Sequence, residues 1–260
     1  MVKPEKYYWE LPWKKSLSMS SSFCKAVVSA GYLTWQQMLD AVCRYRLGGT
    51  RLGGVIFWQI NHEGRICDGK VMYYLPDCHR NKEQTPTWVS AMLTQRHGGK
   101  CEGDFTRHCF FGLHLLTEKH AWLLPPSAGT DFMAEEGKSS ITDTIASSLP
   151  PIAIVEAEKT AVILSSHYPQ YLWLASGGLG EVQAEKFRPL QGRDIILFPD
   201  TDPDGKAYKH WYQAAQEVMA APWWQGSPPI RVSAILEQHA TPDQKQRKID
   251  LADFLTEKQK

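Results

Sequence analysis

From Pro151 onward, short apolar runs alternate with amphipathic stretches, and this alternation predicts a parallel sheet. Ile152–Val155, Tyr171–Ala175, Ile195–Phe198 and Ile230–Leu236 read as strands, nearly continuous in apolar residues as strands covered on both faces must be. Lys159–Ser166 and Lys206–Ala220 read as the helices between them. Upstream the pattern changes. Phe23, Val27, Val28, Leu39, Val42 and Tyr45 recur at helical spacing with a break at Gly31, which predicts two short helices within 20–46. Val55–Ile60 and Gly69–Tyr74 flank Asn61, His62, Glu63 and Gly64 and predict a β-hairpin. Trp88–Arg96 predicts a helix, and Cys109–Leu116 a strand or turn. The expected fold class is α/β: a parallel sheet flanked by helices, preceded by a smaller α+β subdomain with a β-hairpin.

Between Leu124 and Pro151 the chain is rich in Pro, Ser and Gly without a clear period, so residues 125–150 are expected to link an N-terminal subdomain, 1–124, to a second domain, 151–260. Charge supports that division. Residues 1–107 carry 15 Lys and Arg against 9 Asp and Glu, whereas 151–260 carry 12 against 14. A basic first part suits phosphates and an acidic second part suits metal. No apolar run reaches the length of a membrane span or a signal-peptide core, so a soluble, cytoplasmic protein with no membrane partner is expected. The six cysteines include no C-x-x-C pair, which argues against a zinc ribbon or a disulfide framework and for reduced thiols.

The candidate chemistry lies where a parallel sheet places its sites, at the carboxyl ends of strands. Glu156 follows the first strand directly, and Asp200, Asp202 and Asp204 follow the third. Adjacent strands lie about 5 Å apart, so carboxylates on two strand ends can share one hard cation, Mg²⁺ or Mn²⁺. No Walker loop, Ser/His/Asp arrangement or H-E-x-x-H motif offers a competing chemistry.

These residues carry a resemblance. Val155-Glu-Ala-Glu-Lys-Thr160 resembles the first motif of the Toprim domain in primases, where a Glu ends the first strand. Ala175-Ser-Gly-Gly-Leu-Gly180 is similar to its glycine-containing turn. Asp200-Thr-Asp-Pro-Asp-Gly-Lys-Ala207 resembles its D-x-D element, and Ile249-Asp-Leu-Ala-Asp-Phe-Leu255 an acidic tail motif of phage and plasmid primases, with Asp250 and Asp253 as its acids. The resemblance implies a Toprim (Rossmann-like) sheet with Glu156, Asp200 and Asp202 as catalytic carboxylates. It also implies Glu156, Asp200, Asp202, Asp204 and Asp250 as the metal set. Upstream, Tyr45-Arg-Leu-Gly48, the hairpin with Gly69-Lys70, and Phe111-Gly-Leu-His-Leu-Leu116 stand in the order of the basic subdomain that precedes Toprim in bacterial-type primases. Arg44, Arg46, Arg65, Lys70, Lys159, Gly177 and Gly178 are then the expected nucleotide- and nucleic-acid-binding residues.

Two departures stand out: Ala157 replaces the usual Gly, and Thr160 stands where many primases have an acid. The implied function is primase-like nucleotidyl transfer, dependent on Mg²⁺ or Mn²⁺, in the service of a mobile element or plasmid. Its partners are expected to be single-stranded DNA, nucleoside triphosphates and a helicase or other replication protein. The alternatives are a Toprim nuclease using the same carboxylates on water, and a non-catalytic DNA-binding or interaction protein that keeps the fold.

Overall fold

The computed structural model describes residues 16–97, 108–117 and 149–257; all but Leu149 and Pro150 of the expected 125–150 linker lie outside the described residues. Among the described residues the first helices are α1 (Ser22–Ser29) and α2 (Trp35–Tyr45). Each starts on a hydroxyl cap: Ser21 Oγ accepts the Cys24 amide, and Thr34 with Gln37 forms a reciprocal capping box. Arg46 ends α2 in the left-handed conformation.

An antiparallel sheet follows, in the order β1 (Gly48–Gly49), β2 (Val55–Ile60), β3 (Ile66–Met72), β4 (Thr87–Trp88). The predicted second hairpin strand is displaced: it begins at Ile66 and ends at Met72. Asn61 closes the turn tightly, its amide donating to the Arg65 carbonyl and its side chain accepting the amides of Glu63 and Arg65, so pairing resumes at Ile66. The polar Cys67-Asp68 pair hid that start, but Asp68 is buried and satisfied by Ser90, which donates both its amide and its hydroxyl. Trp88 belongs to β4, and α3 spans Val89–His97.

The second sheet has the order β6-β5-β7-β8 and is parallel throughout, as the apolar runs predicted. Its strands are β5 (Ile152–Val155), β6 (Leu172–Ala175), β7 (Ile195–Phe198) and β8 (Arg231–Val232). Helices α4 (Glu158–His167) and α5 (Lys206–Ala220) complete the expected alternation. The predicted strand over 230–236 shortens to two residues. After the Ser233 amide donates to the Leu197 carbonyl, Ser233 Oγ accepts the Ile235 amide and the chain turns into α6 (Ile235–His239). Helices α7 (Pro242–Arg247) and α8 (Leu251–Glu257) follow, and neither was read from the sequence.

The two sheets share one core. Phe57 of β2 meets Phe111 edge-on at 5.5 Å and Phe23 of α1 at 5.3 Å, while Tyr45 of α2 stacks on Phe111 at 5.0 Å. Phe111 exchanges two backbone hydrogen bonds with Ala175 at the outer edge of β6, and a 3-10 turn, Leu113–Leu116, follows it. Tyr45 Oη donates to the Trp173 carbonyl at 2.9 Å. The aromatic seam thus joins the antiparallel sheet to the parallel one.

Gly112 sits in that seam at φ +84, and a Cβ there would meet Tyr45 Cε1 at 3.0 Å and the Trp173 carbonyl oxygen at 3.1 Å. Gly112→Ala is expected to cost about 1–2 kcal/mol for the left-handed backbone alone, with the displaced Tyr45 ring adding to it. Thermal melts of the two proteins check this, and an unchanged Tm would show that the seam is looser than drawn.

Candidate functional site: an acidic crevice at the sheet's switch point

In the order β6-β5-β7-β8 the chain leaves β5, passes through α4 to β6 on one side, then returns to β7 on the other. The loops after β5 and β7 therefore diverge over helices on opposite faces and leave a crevice between them. Val155 is paired with Phe198 and with Ala175, so Glu156, Asp200 and the Ser176-Gly177-Gly178 turn emerge at one level. Ser176 and Gly177 donate their amides to the carbonyls of Val155 and Glu156, both at 2.9 Å, which fixes the glycine turn to the end of β5. The Ala157 departure carries no backbone penalty, because its φ of −94 and ψ of 142 suit any residue.

Electrostatics separates the acids into two kinds. Burial pushes the Asp200 carboxyl well above the usual aspartate range, and the charges of Asp250 and Glu156 push it further. Burial also raises Glu156, against the Leu179 amide and Lys70, which pull it down. Asp250 behaves oppositely. Burial alone would raise it, but Lys159 Nζ at 2.8 Å, the Asp253 amide and the Thr160 hydroxyl hold it below the ordinary value. Lys159 is itself buried; desolvation opposes its charge, yet Asp250 and Asp253 hold it well above the normal lysine value. Asp202 is spent on the start of α5: its two oxygens accept the amides of Asp204, Lys206 and Ala207. Burial is the largest single influence and raises it, but the three bonds together, with the Lys248 charge, outweigh it and the pKa is lowered. Asp204 is exposed and pairs with Lys206 at 2.6 Å.

Of the five carboxylates expected to hold metal, Asp202 and Asp250 thus already have structural partners, and Glu156 and Asp200 carry the unrelieved repulsion. Among the described residues, no group of three or more His, Cys, Asp or Glu side chains closes into a cage that could hold a metal. The donor chemistry fits a sparser site. Mg²⁺ and Mn²⁺ favour oxygen, and Mg²⁺ commonly takes one or two carboxylates while keeping waters for a phosphate to displace. Glu156 and Asp200 supply that pair, and a cation would offset both the burial and the repulsion that raise them.

The basic residues expected to track phosphate are dispersed. Arg44 donates to the Ser165 carbonyl at 3.1 Å and so joins α2 to α4. Arg46 caps α2; burial, with a smaller push from the Arg46 charge, outweighs the hydrogen bond to the Arg44 carbonyl and lowers the His114 imidazole to about 4. Arg65 is exposed on the hairpin turn and pairs with Glu63. Lys159 belongs to the acid cluster described above. Lys70 of β3 does reach the crevice: it donates to the Gly177 carbonyl at 2.7 Å and to both oxygens of Glu158 at 3.1 and 3.2 Å. Gly177 has a φ of +90, which L side chains rarely adopt, and a Cβ there would also press on Glu158 Oε1 at 3.3 Å. Beside this turn the buried amide oxygen of Gln59 has no hydrogen-bond partner among the described residues.

Sequence reasoning missed Glu158 and Gln59 as parts of this site. It missed Thr160 as well, whose hydroxyl serves Asp250 where an acid was expected. Among the described residues, Trp58, Trp173, Trp211 and Trp224 serve the fold, each donating its indole N–H to a partner within the chain.

Comparison with known proteins adds a family. The model described as "Domain of unknown function (DUF6371)" matches residues 21–123 and 139–201. No curated protein matches the chain. Among solved structures, the crystal structure of the primase fragment of the bacteriophage T7 primase-helicase protein is a weak neighbour, with a TM-score of 0.39 and 16% sequence identity. The similarity covers 77% of this chain and 66% of that one, so the chain spans just under two thirds of its neighbour's length.

Two substitutions separate the two kinds of acid, both read by melts in EDTA. Because the folded protein favours protonated Asp200, that group's contribution is fully present in acid and fades as pH rises through its raised pKa. Asp200→Asn should therefore stabilise the protein at neutral pH, by an amount that shrinks toward acid. Lys159→Met should destabilise by about 3–5 kcal/mol, the usual cost of leaving a buried charge unpaired. Asp200→Asn that destabilises at neutral pH would contradict the repulsion described here.

Proposed function

We propose that the chain, which belongs to the DUF6371 family, is a Mg²⁺- or Mn²⁺-dependent phosphoryl-transfer protein of Toprim type, acting as a primase-like nucleotidyltransferase on single-stranded DNA. The observation that carries this reading is the pair of half-buried, mutually repelling carboxylates, Glu156 and Asp200, at the switch point of a parallel sheet. The motif resemblance around both residues supports it.

In this reading a divalent ion held by Glu156 and Asp200 would supply Lewis-acid stabilisation of a transferring phosphoryl group. The remaining roles belong to the chain itself. Glu156, held by burial above the usual glutamate range, is poised to accept a proton from an attacking hydroxyl. The Gly177-Gly178 turn lets backbone approach a phosphate closely, and Lys70 lies on that turn, able to exchange Glu158 for a phosphate oxygen. Asp202 orients the loop by capping α5. Lys159 and Thr160 hold Asp250 charged beside the pair. The bond from Lys70 to Gly177 connects the antiparallel sheet to the crevice, which gives the N-terminal residues a part in the same site.

The deciding experiment incubates the protein with single-stranded DNA, labelled nucleoside triphosphates and Mg²⁺ or Mn²⁺. Oligomer synthesis that Glu156→Gln and Asp200→Asn both abolish supports the proposal. Strand cleavage with the same dependence would instead assign the carboxylates to a nuclease, and binding without turnover would leave a non-catalytic fold. Lys70→Ala should raise the KM for nucleotide by roughly tenfold, the loss of one charge-assisted phosphate contact, with a smaller change in kcat. An unchanged KM would remove Lys70 from the phosphate site.

A further inference from the structure

Helix α5 begins at the loop that carries Asp200 and Asp202, and its outer face is unlike the face that packs on the sheet. Ala207, Trp211, Ala214, Ala215 and Val218 are buried. One step around the helix, Tyr208 and Tyr212 stand one turn apart with ring centroids separated by 6.2 Å and planes inclined by 24°. Tyr212 is 48% exposed, a large aromatic ring left in water on an otherwise polar face. Three lysines lie near the tyrosines, with Asp202 and Asp204 at the helix's N-terminal end. Lys209 shares the tyrosine face and reaches the Asp204 carbonyl at 3.4 Å, and Lys206 pairs with Asp204 at the same end. Lys248 is exposed and close enough to Asp202 to help depress its pKa.

We propose that this face of α5 is a stacking platform for single-stranded nucleic acid, which guides a strand along the tyrosines toward the carboxylate crevice. The inference deepens the phosphoryl-transfer reading and rests on it for the strand's destination. Several features favour nucleic acid as the occupant. Every base has a π-face, so aromatic rings hold a strand without regard to sequence, while lysines beside them meet its phosphates. The 6.2 Å between the rings is close to two base steps of about 3.4 Å, so the tyrosines match alternate bases of a stacked strand. Helix rise places Tyr208 only about 3 Å along the axis from Lys206, whose amide Asp202 caps, so the platform starts at the lip of the crevice.

The test is fluorescence anisotropy with a labelled oligothymidylate and with an abasic strand of equal length, across a salt series. Replacing both tyrosines, Tyr208→Ala with Tyr212→Ala, should weaken the base-bearing strand by roughly tenfold or more while leaving its salt slope unchanged. Tyr208→Phe with Tyr212→Phe should keep wild-type affinity, because stacking needs the ring and not the hydroxyl. Lys209→Ala should flatten the salt slope by about 0.7. The abasic strand should bind the wild type and the double alanine variant equally. Wild-type affinity in the double alanine variant, an equal loss for the abasic strand, or no strand binding by the wild-type protein overturns the platform. The phosphoryl-transfer reading fails separately: a wild-type protein that binds strands through the tyrosines but neither extends nor cuts them keeps the platform and loses the chemistry.

Discussion

The arrangement depends on one buried ammonium. Lys159, on the first turn of α4, lies 2.8 Å from Asp250 and 3.0 Å from Asp253, and its charge sits 5.8 Å from the centre of the Tyr32 ring. Tyr32 in turn donates its hydroxyl to Asp253 at 2.8 Å. One cation therefore connects the α1–α2 region, the parallel sheet and the C-terminal helix, and supplies the positive charge that lets Asp250 and Asp253 approach each other. Burying an isolated charge costs several kcal/mol, so this cation and these acids are each tolerable only because the other is present. Asp250 is paid for by Lys159, which leaves Glu156 and Asp200 as the acids whose repulsion remains.

That asymmetry links fold to chemistry. The strand order places the two repelling carboxylates at the switch point, and the glycine turn beside them is pinned by amide bonds to the end of β5. Lys70 arrives from the other sheet, which makes the aromatic seam of Phe57, Phe111 and Tyr45 more than packing: it sets the distance over which Lys70 reaches Gly177.

Much of this was legible in the sequence. β5, β7 and α5 were readable because short apolar runs and a long amphipathic stretch leave few alternatives, and Glu156 and Asp200 were readable because they follow those runs directly. The short β8 was not, since Ile230–Leu236 is apolar enough for a strand and only the local bond from Ile235 to Ser233 turns it into a helix. Nor was the division among the acids. An Asp four residues beyond a strand serves equally as a ligand or as a helix cap, and only the amides of Asp204, Lys206 and Ala207 assign Asp202 to the cap. The pairing of Lys70 with Glu158 spans 88 residues and leaves no local trace in one sequence.

The bridge between Phe111 and Ala175 has a consequence for how copies of the chain meet. β6 is an outer strand of the parallel sheet, and an outer strand offers unpaired amides and carbonyls to any extended chain that comes near. Phe111 occupies both backbone groups of Ala175, Tyr45 takes the Trp173 carbonyl, and at the opposite edge β8 is only two residues long. Both margins of the sheet are thus blunted against strand addition, so the segment that joins the antiparallel sheet to the parallel one also guards against aggregation.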